Sequence, residues 1–514
     1  MALKPLLLLP LDDRPCCWAW ARRLATLAGG EVAFPPASLW SGLGQRLESG
    51  LNPQGEALRE WLARGAAQGR WEGMVISLDQ LLYGGLVNSR APGPVEPILK
   101  LWAEWAGRPQ PTPLYLWGTV MRLAPTQRNA REVELASRLM EANSHLEGPP
   151  PSGRELEEWL ASWGLPLEYW AQYCARRQRK AQVDRAIIER WLTTWGPDPQ
   201  RPRDYLAWGL DDSKSRGLNI EEARLLASLL APAAPKAQVG PGTDEAPLLL
   251  LARHFSAPST LKVVWSHPQA SQIVTLYEGQ PLGEVLKSQA RWAGVRLREE
   301  IIGEVNRLPA PLEADARPYE LWIYAPWREQ GEALEQERAE VRELAEGSSA
   351  HFERWSLALE RALGEGRSIV LADLAYANGG SRRLVEWLLR EGRSQALIGY
   401  SAWNTAGNAL GTALAWAALA QKGRRGPADP ANRSLRSERL LDDYYYQSSV
   451  RSHLSRQVGG SFLSLDPERQ RELALICAQK LEAWAQKYVL ELPSGRPLSI
   501  YWPWGRLFEV GFND

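Results

Sequence analysis

This chain of 514 residues contains few cysteines and histidines and has no excess of either charge. Its four cysteines are too few for a disulfide framework, and their spacing matches no CxxC zinc or redox motif. Its five histidines are scattered and form no HExxH pair, so a histidine-based metal site is not expected. Sixty basic residues balance sixty acidic ones, and this balance argues against a nucleic-acid-binding surface.

Long apolar runs are also missing. No stretch reaches the roughly 18 apolar residues of a membrane span, and the N-terminal run 6–9 is too short for the core of a secretory signal. The GxGxxG, GxxxxGK[ST] and GxSxG motifs of dinucleotide, phosphate-loop and serine-nucleophile sites do not occur. We therefore expect a soluble, cytoplasmic protein that binds neither nucleic acid nor membrane. The sequence does not indicate its oligomeric state.

Eight short apolar runs, each followed by polar residues and then by a helical stretch, repeat along the chain. They lie at 6–9, 74–76, 114–117, 205–208, 237–239, 261–265, 369–371 and 397–400. Because the runs are continuous, the strands are expected to be buried on both faces, as in a parallel sheet covered by helices. Eight such units predict a (β/α)₈ TIM-like barrel. An additional apolar piece at 32–34 keeps an alternative open, namely two doubly wound α/β domains.

The predicted barrel-like catalytic domain covers residues 1–425 and carries two insertions. The first, 123–203, is helical, and the second, 269–366, reads as a small α/β subdomain with strand signals at 273–277 and 321–324. Residues 426–514 are predicted to form a helical C-terminal region whose tail returns to the site.

Carboxylates recur directly after the predicted strands, at five of the eight strand ends. They are Asp12, Asp13, Asp79, Asp211, Asp212, Asp244, Glu245 and Asp373. If the strands share one sheet, these groups converge, and protonation, a cation or the arginines Arg14, Arg122 and Arg506 must relieve their repulsion. Such crowding separates the pKa values of neighbouring carboxyl groups, as acid–base pairs require.

Amide and aromatic side chains accompany the carboxylates, at Tyr83, Asn378, Trp403, Asn404 and Asn408. Donors, acceptors and aromatic faces together suit a polyhydroxylated ligand such as a sugar. Two alternatives remain open at this point. The carboxylates could hold Mg²⁺ or Mn²⁺ in a metal-dependent hydrolase, or the chain could be a non-catalytic sugar-binding protein.

The whole chain resembles a bacterial family of unknown function, domain family 4127. The resemblance rests on LPLDDRP at 9–15, SLDxLLYGGLVxSR at 77–90, TDE at 243–245, WNTAGN at 403–408 and PWxRxFE at 503–509. It covers nearly the full length and implies no activity.

A second, remote resemblance concerns motif order. The strand ends from 206 to 414 are similar to the second half of β-N-acetylglucosaminidase barrels of the O-GlcNAcase and hyaluronidase type. In those enzymes an Asp–Asp pair ends the fourth strand, so the resemblance implies that Asp211 orients the substrate acetamide and Asp212 is the general acid. It also implies that Asn404 or Asn408 binds hydroxyls. Ser213 after the pair and the long insertion before the seventh strand depart from that family.

Together these observations predict a glycoside hydrolase or related sugar-processing enzyme that acts on a small N-acetylated amino sugar or glycoside. Asp211 and Asp212 are the predicted catalytic residues, and neither a metal nor another cofactor is expected, except for a divalent metal under the alternative above. The predicted substrate-binding residues are Asp12, Asp13, Arg14, Asp79, Tyr83, Arg122, Asp244, Glu245, Asp373, Asn378, Trp403, Asn404, Asn408 and Arg506.

Overall fold

The computed structural model describes residues 4–40, 51–111, 113–123, 130–146, 148–196, 198–301, 318–460, 464–493 and 497–513. Among them, no helix is both long enough and apolar enough to cross a membrane. Contacts between backbone positions divide the chain into two compact units. The first unit comprises residues 1–13 and 31–247, and the second comprises 14–30 and 248–514.

The strands, in chain order, are β1 (Leu6–Leu9), β2 (Val32–Ala33), β3 (Gly73–Ser77), β4 (Leu114–Val120), β5 (Tyr205–Leu210), β6 (Ala237–Pro241), β7 (Ser259–Trp265), β8 (Val295–Ile301), β9 (Glu320–Tyr324), β10 (Gly331–Glu332), β11 (Ile369–Asp373), β12 (Tyr376–Ala377), β13 (Gly399–Ser401), β14 (Ile500–Tyr501) and β15 (Gly511–Phe512).

The α-helices are α1 (Pro15–Leu27), α2 (Gly55–Ala67), α3 (Leu78–Tyr83), α4 (Leu86–Ser89), α5 (Glu96–Ala106), α6 (Ala130–Ser144), α7 (Gly153–Ser162), α8 (Leu167–Thr194), α9 (Leu218–Leu230), α10 (Ala246–Ser256), α11 (Leu282–Ala293), α12 (Ala339–Glu346), α13 (Ser349–Gly364), α14 (Arg382–Leu389), α15 (Ala406–Gly423), α16 (Pro430–Arg439), α17 (Arg451–Val458) and α18 (Pro467–Lys487). A π-helical segment, Leu440–Val450, joins α16 to α17.

The first unit is built on a parallel sheet with strand order β2-β1-β3-β4-β5-β6. Its central strands are buried along their whole length, which explains why they read as continuous apolar runs in the sequence. The order reverses between β1 and β3. In doubly wound sheets of this order, ligands bind outside the carboxyl ends of the strands at such a reversal.

The second unit has a separate parallel sheet with strand order β13-β11-β9-β7-β8. Its reversal lies between β7 and β9. Several of its helices begin at side-chain caps: Ser348 caps α13, Ser381 caps α14, and Thr405 with Asn408 forms a capping box on α15. A large apolar core connects this sheet with the π-helical segment and α18.

The α/β class with parallel sheets is confirmed. In the described part of the chain, however, the eight predicted strands are divided between the two sheets, five in the first and three in the second, and no closed eight-stranded barrel is seen there. The additional apolar piece at 32–34 is indeed a strand, β2. The second sheet also recruits β8 and β9 from the segment predicted as an insertion.

One predicted strand, 273–277, is wrong. This stretch is irregular and forms a single bridge, between Val274 and Pro281. The sequence analysis did not predict β8, an edge strand of the second sheet that is rich in charged residues and contains no continuous apolar run. Part of the predicted insertion 269–366, residues 302–317, lies outside the described residues.

Candidate active site

The carboxyl edge of the first sheet collects most of the predicted site residues. Their places follow from the strands that precede them, since the carboxyl ends of parallel strands meet at one edge. Asp12 and Asp13 follow β1, Asp79 follows β3, Arg122 follows β4, Asp211 and Asp212 follow β5, and Asp244 and Glu245 follow β6.

A glycine turn brings two of these loops together at the reversal between β1 and β3. Gly84 ends α3 in the left-handed conformation (φ 83°), and Gly85 follows with φ 123°. A side chain at Gly85 would lie 3.4 Å from the Leu11 carbonyl oxygen and 3.9 Å from Asp12 Cβ. The GG of the YGG sequence therefore lets the chain turn beside the buried Asp12.

The adjacent carboxylates Asp211 and Asp212 have different partners. The buried Arg90 guanidinium donates to Asp211 Oδ2, and Arg122 Nη1 donates to Asp212 Oδ2 at 2.9 Å. The Asp211 side chain is 15% exposed and the Asp212 side chain 33% exposed. Adjacent residues leaving a strand thus direct their carboxylates to two different cations.

Asp212 is strained and electrostatically perturbed. Its φ of 37° is one that residues with a side chain rarely adopt, and such outliers concentrate at functional sites. Burial and the neighbouring Asp211 raise its pKa, while Arg122 and Arg90 oppose the rise. Because a third of the side chain is exposed, solvent screens part of this effect. The pair therefore combines one carboxylate that a buried cation compensates with one that is shifted towards its protonated form.

Helix α8 supports the loop that carries Arg122. Arg177 donates from Nη2 to the Met121 carbonyl oxygen and from Nη1 to the Arg122 carbonyl oxygen, each at 3.0 Å. The same guanidinium holds Glu222 of α9, with Nε 2.7 Å from Oε1. Arg177 is buried and thus fixes the backbone from which Arg122 extends.

A second buried charge cluster connects α3 with α8. Lys180 Nζ lies 3.4 Å from Asp79 Oδ1 and 2.7 Å from Asp184 Oδ1, and all three side chains are almost fully buried. Burial raises the pKa of Asp184 to about 7, and Lys180 opposes the rise. Burial also disfavours the charge on Lys180, but Asp184 and Asp79 more than compensate and raise its pKa.

Two of the predicted ligand-binding residues in the first unit, Tyr83 and Glu245, have local structural partners. The Tyr83 ring is buried beneath Arg179 and Lys180, whose charged groups lie 5.2 and 5.7 Å from its centroid. Glu245 Oε2 accepts from the Thr243 backbone N–H at 3.1 Å and so stabilises its own turn. Asp244 is also buried there.

The structure corrects the expectation that the predicted strands share one sheet. Asp373, Asn378, Trp403, Asn404 and Asn408 follow strands of the second sheet, so they do not lie on the sheet that carries Asp211 and Asp212. The reason is the pairing of β11 with β9 and β13, which the spacing of strand signals does not specify.

Within the second unit these residues have defined partners. Asp373 Oδ2 accepts from the Ser381 backbone N–H at 2.8 Å and from the Tyr400 hydroxyl at 2.9 Å, and burial raises its pKa to about 7. Asn378 Nδ2 donates to Glu332 Oε2 at 2.9 Å. The Asn378 backbone N–H donates to the Asn404 carbonyl oxygen at 2.7 Å.

The remaining predicted residues of the second unit contribute to packing and capping. Asn408 belongs to the capping box of α15, and Trp403 packs edge-on against Trp20 at 5.5 Å. Arg14 and Arg506 both pair with Glu509, at 3.6 and 3.1 Å. Both guanidinium groups also stack on the Trp504 ring. In the tail, Arg506 therefore compensates a carboxylate of its own segment.

Four charged residues of this site, Arg90, Arg177, Lys180 and Asp184, are not among the residues predicted from the sequence. Arg90 closes the SLDxLLYGGLVxSR motif, so the motif itself contained the signal. The other three lie on α8, in a strongly charged stretch that has the composition of a solvated helix. No local pattern distinguishes these buried charges from exposed ones.

The fold and the edge of the first sheet together define an α/β protein with a carboxylate–arginine site at the ends of parallel strands. The chain belongs to the family described as "Protein of unknown function (DUF4127)", whose family profile matches residues 6–513. The family predicted from the sequence motifs is thus confirmed. Searches of curated proteins and of solved structures gave no match.

Proposed function

We propose that this protein is a hydrolase of small glycosides of N-acetylated amino sugars, with Asp212 as general acid and Asp211 as the residue that orients the acetamide group. The observation that carries the proposal is that the two carboxyl groups have different environments. Asp211 is compensated by the buried Arg90, whereas the pKa of the more exposed Asp212 is raised. A general acid must hold its proton near neutral pH and must reach the substrate.

The two carboxylates would divide the reaction between them. The substrate acetamide oxygen attacks the anomeric carbon while the bond to the leaving oxygen breaks, and Asp212 gives that oxygen its proton. Asp211 accepts the acetamide N–H and stabilises the positive charge that develops on the acetamide. Water then opens the cyclic intermediate, and it returns a proton to Asp212. No enzyme nucleophile is needed, in keeping with the missing GxSxG motif.

The proposal does not depend on a closed barrel. The glycosidase resemblance implies a (β/α)₈ barrel, but an open parallel sheet also gathers its strand-end loops at one edge. In the first unit Asp79 follows β3, which lies two strands from β5 in the sheet, and Asp12 and Asp13 follow β1, one strand further away. Carboxylates of this kind are the acceptors that sugar hydroxyl groups require.

The test compares aryl N-acetyl-glucosaminides with good and poor leaving groups. Asp212→Asn should lose on the order of 10²–10⁴ in kcat/KM on poor leaving groups, and the loss should shrink on good ones, which need little protonation. Asp211→Asn should slow both substrates alike. Glu221→Gln, an exposed acidic residue of the same unit, is the matched control.

An equal relative deficit of Asp212→Asn on both leaving groups would refute Asp212 as the acid. Turnover of phosphoesters that chelator abolishes, without turnover of any glycoside, would instead establish the metal-dependent alternative. No turnover of any glycoside in the wild-type protein would refute the glycosidase proposal.

A further inference from the structure

A polar pocket of about 400 Å³ lies in the second unit, beside the starts of α13 and α14. Its volume is within the range of small-molecule sites. Gln336 and Ser349 contribute to its wall together with three cationic and three anionic side chains, which are Arg342, Arg382, Arg383, Glu337, Glu346 and Glu386. The wall thus carries equal numbers of both charges.

Glu346 is the buried member of this wall. It is 2% exposed, and its Oε1 accepts from the Ser381 hydroxyl at 2.7 Å. Its other oxygen, Oε2, lies 4.0 Å from Arg383 Nη1 and has no hydrogen-bond partner among the described residues. Burial raises the pKa of Glu346, and the Ser381 hydroxyl, Arg383 and the nearby Tyr376 hydroxyl oppose the rise.

An unused acceptor on a buried carboxylate is costly, because the group has left water without a replacement donor. The Ser381 hydroxyl, whose oxygen caps α14, donates its proton to Oε1 and therefore does not serve Oε2. A donor from a bound molecule would satisfy Oε2, and a cationic donor would also compensate the charge.

The outer wall of the pocket carries positive charge, opposite in sign to the charge of Glu346. Arg382 pairs with Glu337 and is 42% exposed, so its guanidinium borders the opening to solvent. Arg342 is exposed, and it lies near enough to Glu346 to favour its ionised form. Guanidinium groups bind carboxylates and phosphates through paired N–H donors.

We propose that this pocket is a second ligand site, which binds a small zwitterion with its ammonium group on Glu346 and its carboxylate or phosphate on Arg342 and Arg382. An amino-sugar phosphate and a free amino acid both have this chemistry. The site belongs to the second unit and does not depend on the hydrolase proposed for the first.

The experiment measures the affinity of the full chain for four probes by isothermal titration calorimetry at pH 7. The probes are glucosamine 6-phosphate, glucose 6-phosphate, glucosamine and L-serine. Glucosamine 6-phosphate should bind about tenfold more tightly than glucose 6-phosphate, because only the former offers an ammonium group to Glu346. Tighter binding of L-serine than of glucosamine 6-phosphate would identify amino acids as the ligand class.

Two variants separate the two halves of the pocket. Glu346→Gln keeps an acceptor for Ser381 and should abolish the preference for the amino compound, while leaving glucose 6-phosphate binding unchanged. The double variant Arg342→Gln/Arg382→Gln should weaken both phosphates by about tenfold or more and leave glucosamine unaffected. Glu353→Gln and Arg361→Gln, both exposed on α13, are the matched controls.

Equal affinities of the wild-type protein for the two phosphates, or no binding of any probe, would overturn the proposal. An equal loss of affinity for both phosphates in Glu346→Gln would also overturn it, provided that this variant has the melting temperature of the wild type. If the variant is destabilised, the affinities of the double variant Arg342→Gln/Arg382→Gln decide whether the proposal stands. Asp211→Asn should bind all probes normally, and a loss there would assign the binding to the first unit instead.

Discussion

Arg122 donates to Asp212 across 2.9 Å and thereby joins the loops that follow β4 and β5. The bond favours the ionised form of Asp212, so it opposes the rise in pKa that burial and Asp211 cause. The two effects act on one carboxyl group, and their balance sets the pH at which Asp212 loses its proton.

Arg122→Gln should raise the pKa of Asp212. Without the cation the pKa of Asp212 rises further, so ¹³C NMR of labelled aspartate should show its titration at higher pH. If Asp212 acts in its protonated form, the basic limb of kcat/KM for an aryl N-acetyl-glucosaminide shifts to higher pH as well. Arg224→Gln, which breaks an exposed pair with Glu221, is the control. It should change neither the titration of Asp212 nor the pH profile of kcat/KM. A titration that stays in place or moves to lower pH would contradict the prediction.

Lys180→Met should destabilise the protein, because it leaves Asp79 and Asp184 buried without their cation. Breaking a buried ion pair by removing one partner costs about 3–5 kcal/mol in the free energy of unfolding. The loss should be smaller at pH 5 than at pH 8, since burial already raises the pKa of Asp184 to about 7 and the carboxyl takes up a proton at pH 5.

Urea unfolding at the two pH values measures this effect. Lys287→Met removes a lysine that is half exposed and pairs with Glu284, so its unfolding midpoint should match that of the wild type. An equal loss for Lys180→Met at pH 5 and pH 8 would mean that Asp184 does not take up a proton in this range.

Asp373→Asn should stabilise the protein increasingly as the pH rises from about 4 to about 8. Burial raises the pKa of Asp373 to about 7 from an ordinary value of 3.8, so the folded state binds its proton more tightly than the unfolded state does. The wild type therefore loses stability as the pH rises through this window, by at most about 4 kcal/mol. Asn keeps an oxygen that can accept from Ser381 and Tyr400 and does not titrate.

The difference between variant and wild type is read from urea unfolding across that pH range. Asp466→Asn is the control, because Asp466 is an exposed helix cap whose backbone donors lower its pKa, so it should gain no stability as the pH rises. A difference for Asp373→Asn that does not change with pH would show that Asp373 is ionised throughout.

The sequence by itself determined the α/β class and the strands of the two larger sheets, with the exception of β8. Continuous runs such as Leu6–Leu9 are buried strands of parallel sheets, because burial on both faces removes the need for polar residues. The order of strands and loops along the chain also placed Asp211 and Asp212 together after β5, and the motifs identified the family. These features are local, so residue order encodes them directly.

Only the tertiary structure decided how the strands are shared between sheets and which charges meet. Strand pairing is set by long-range hydrogen bonds, so spacing alone could not show that Asp373 belongs to a different sheet from Asp211. Arg90 and Asp211 are 121 positions apart, and Lys180 lies in a charged helical stretch that resembles a solvated surface. A buried charge is stable only where a partner from elsewhere in the chain compensates it, and that partner is a property of the fold rather than of the neighbouring sequence.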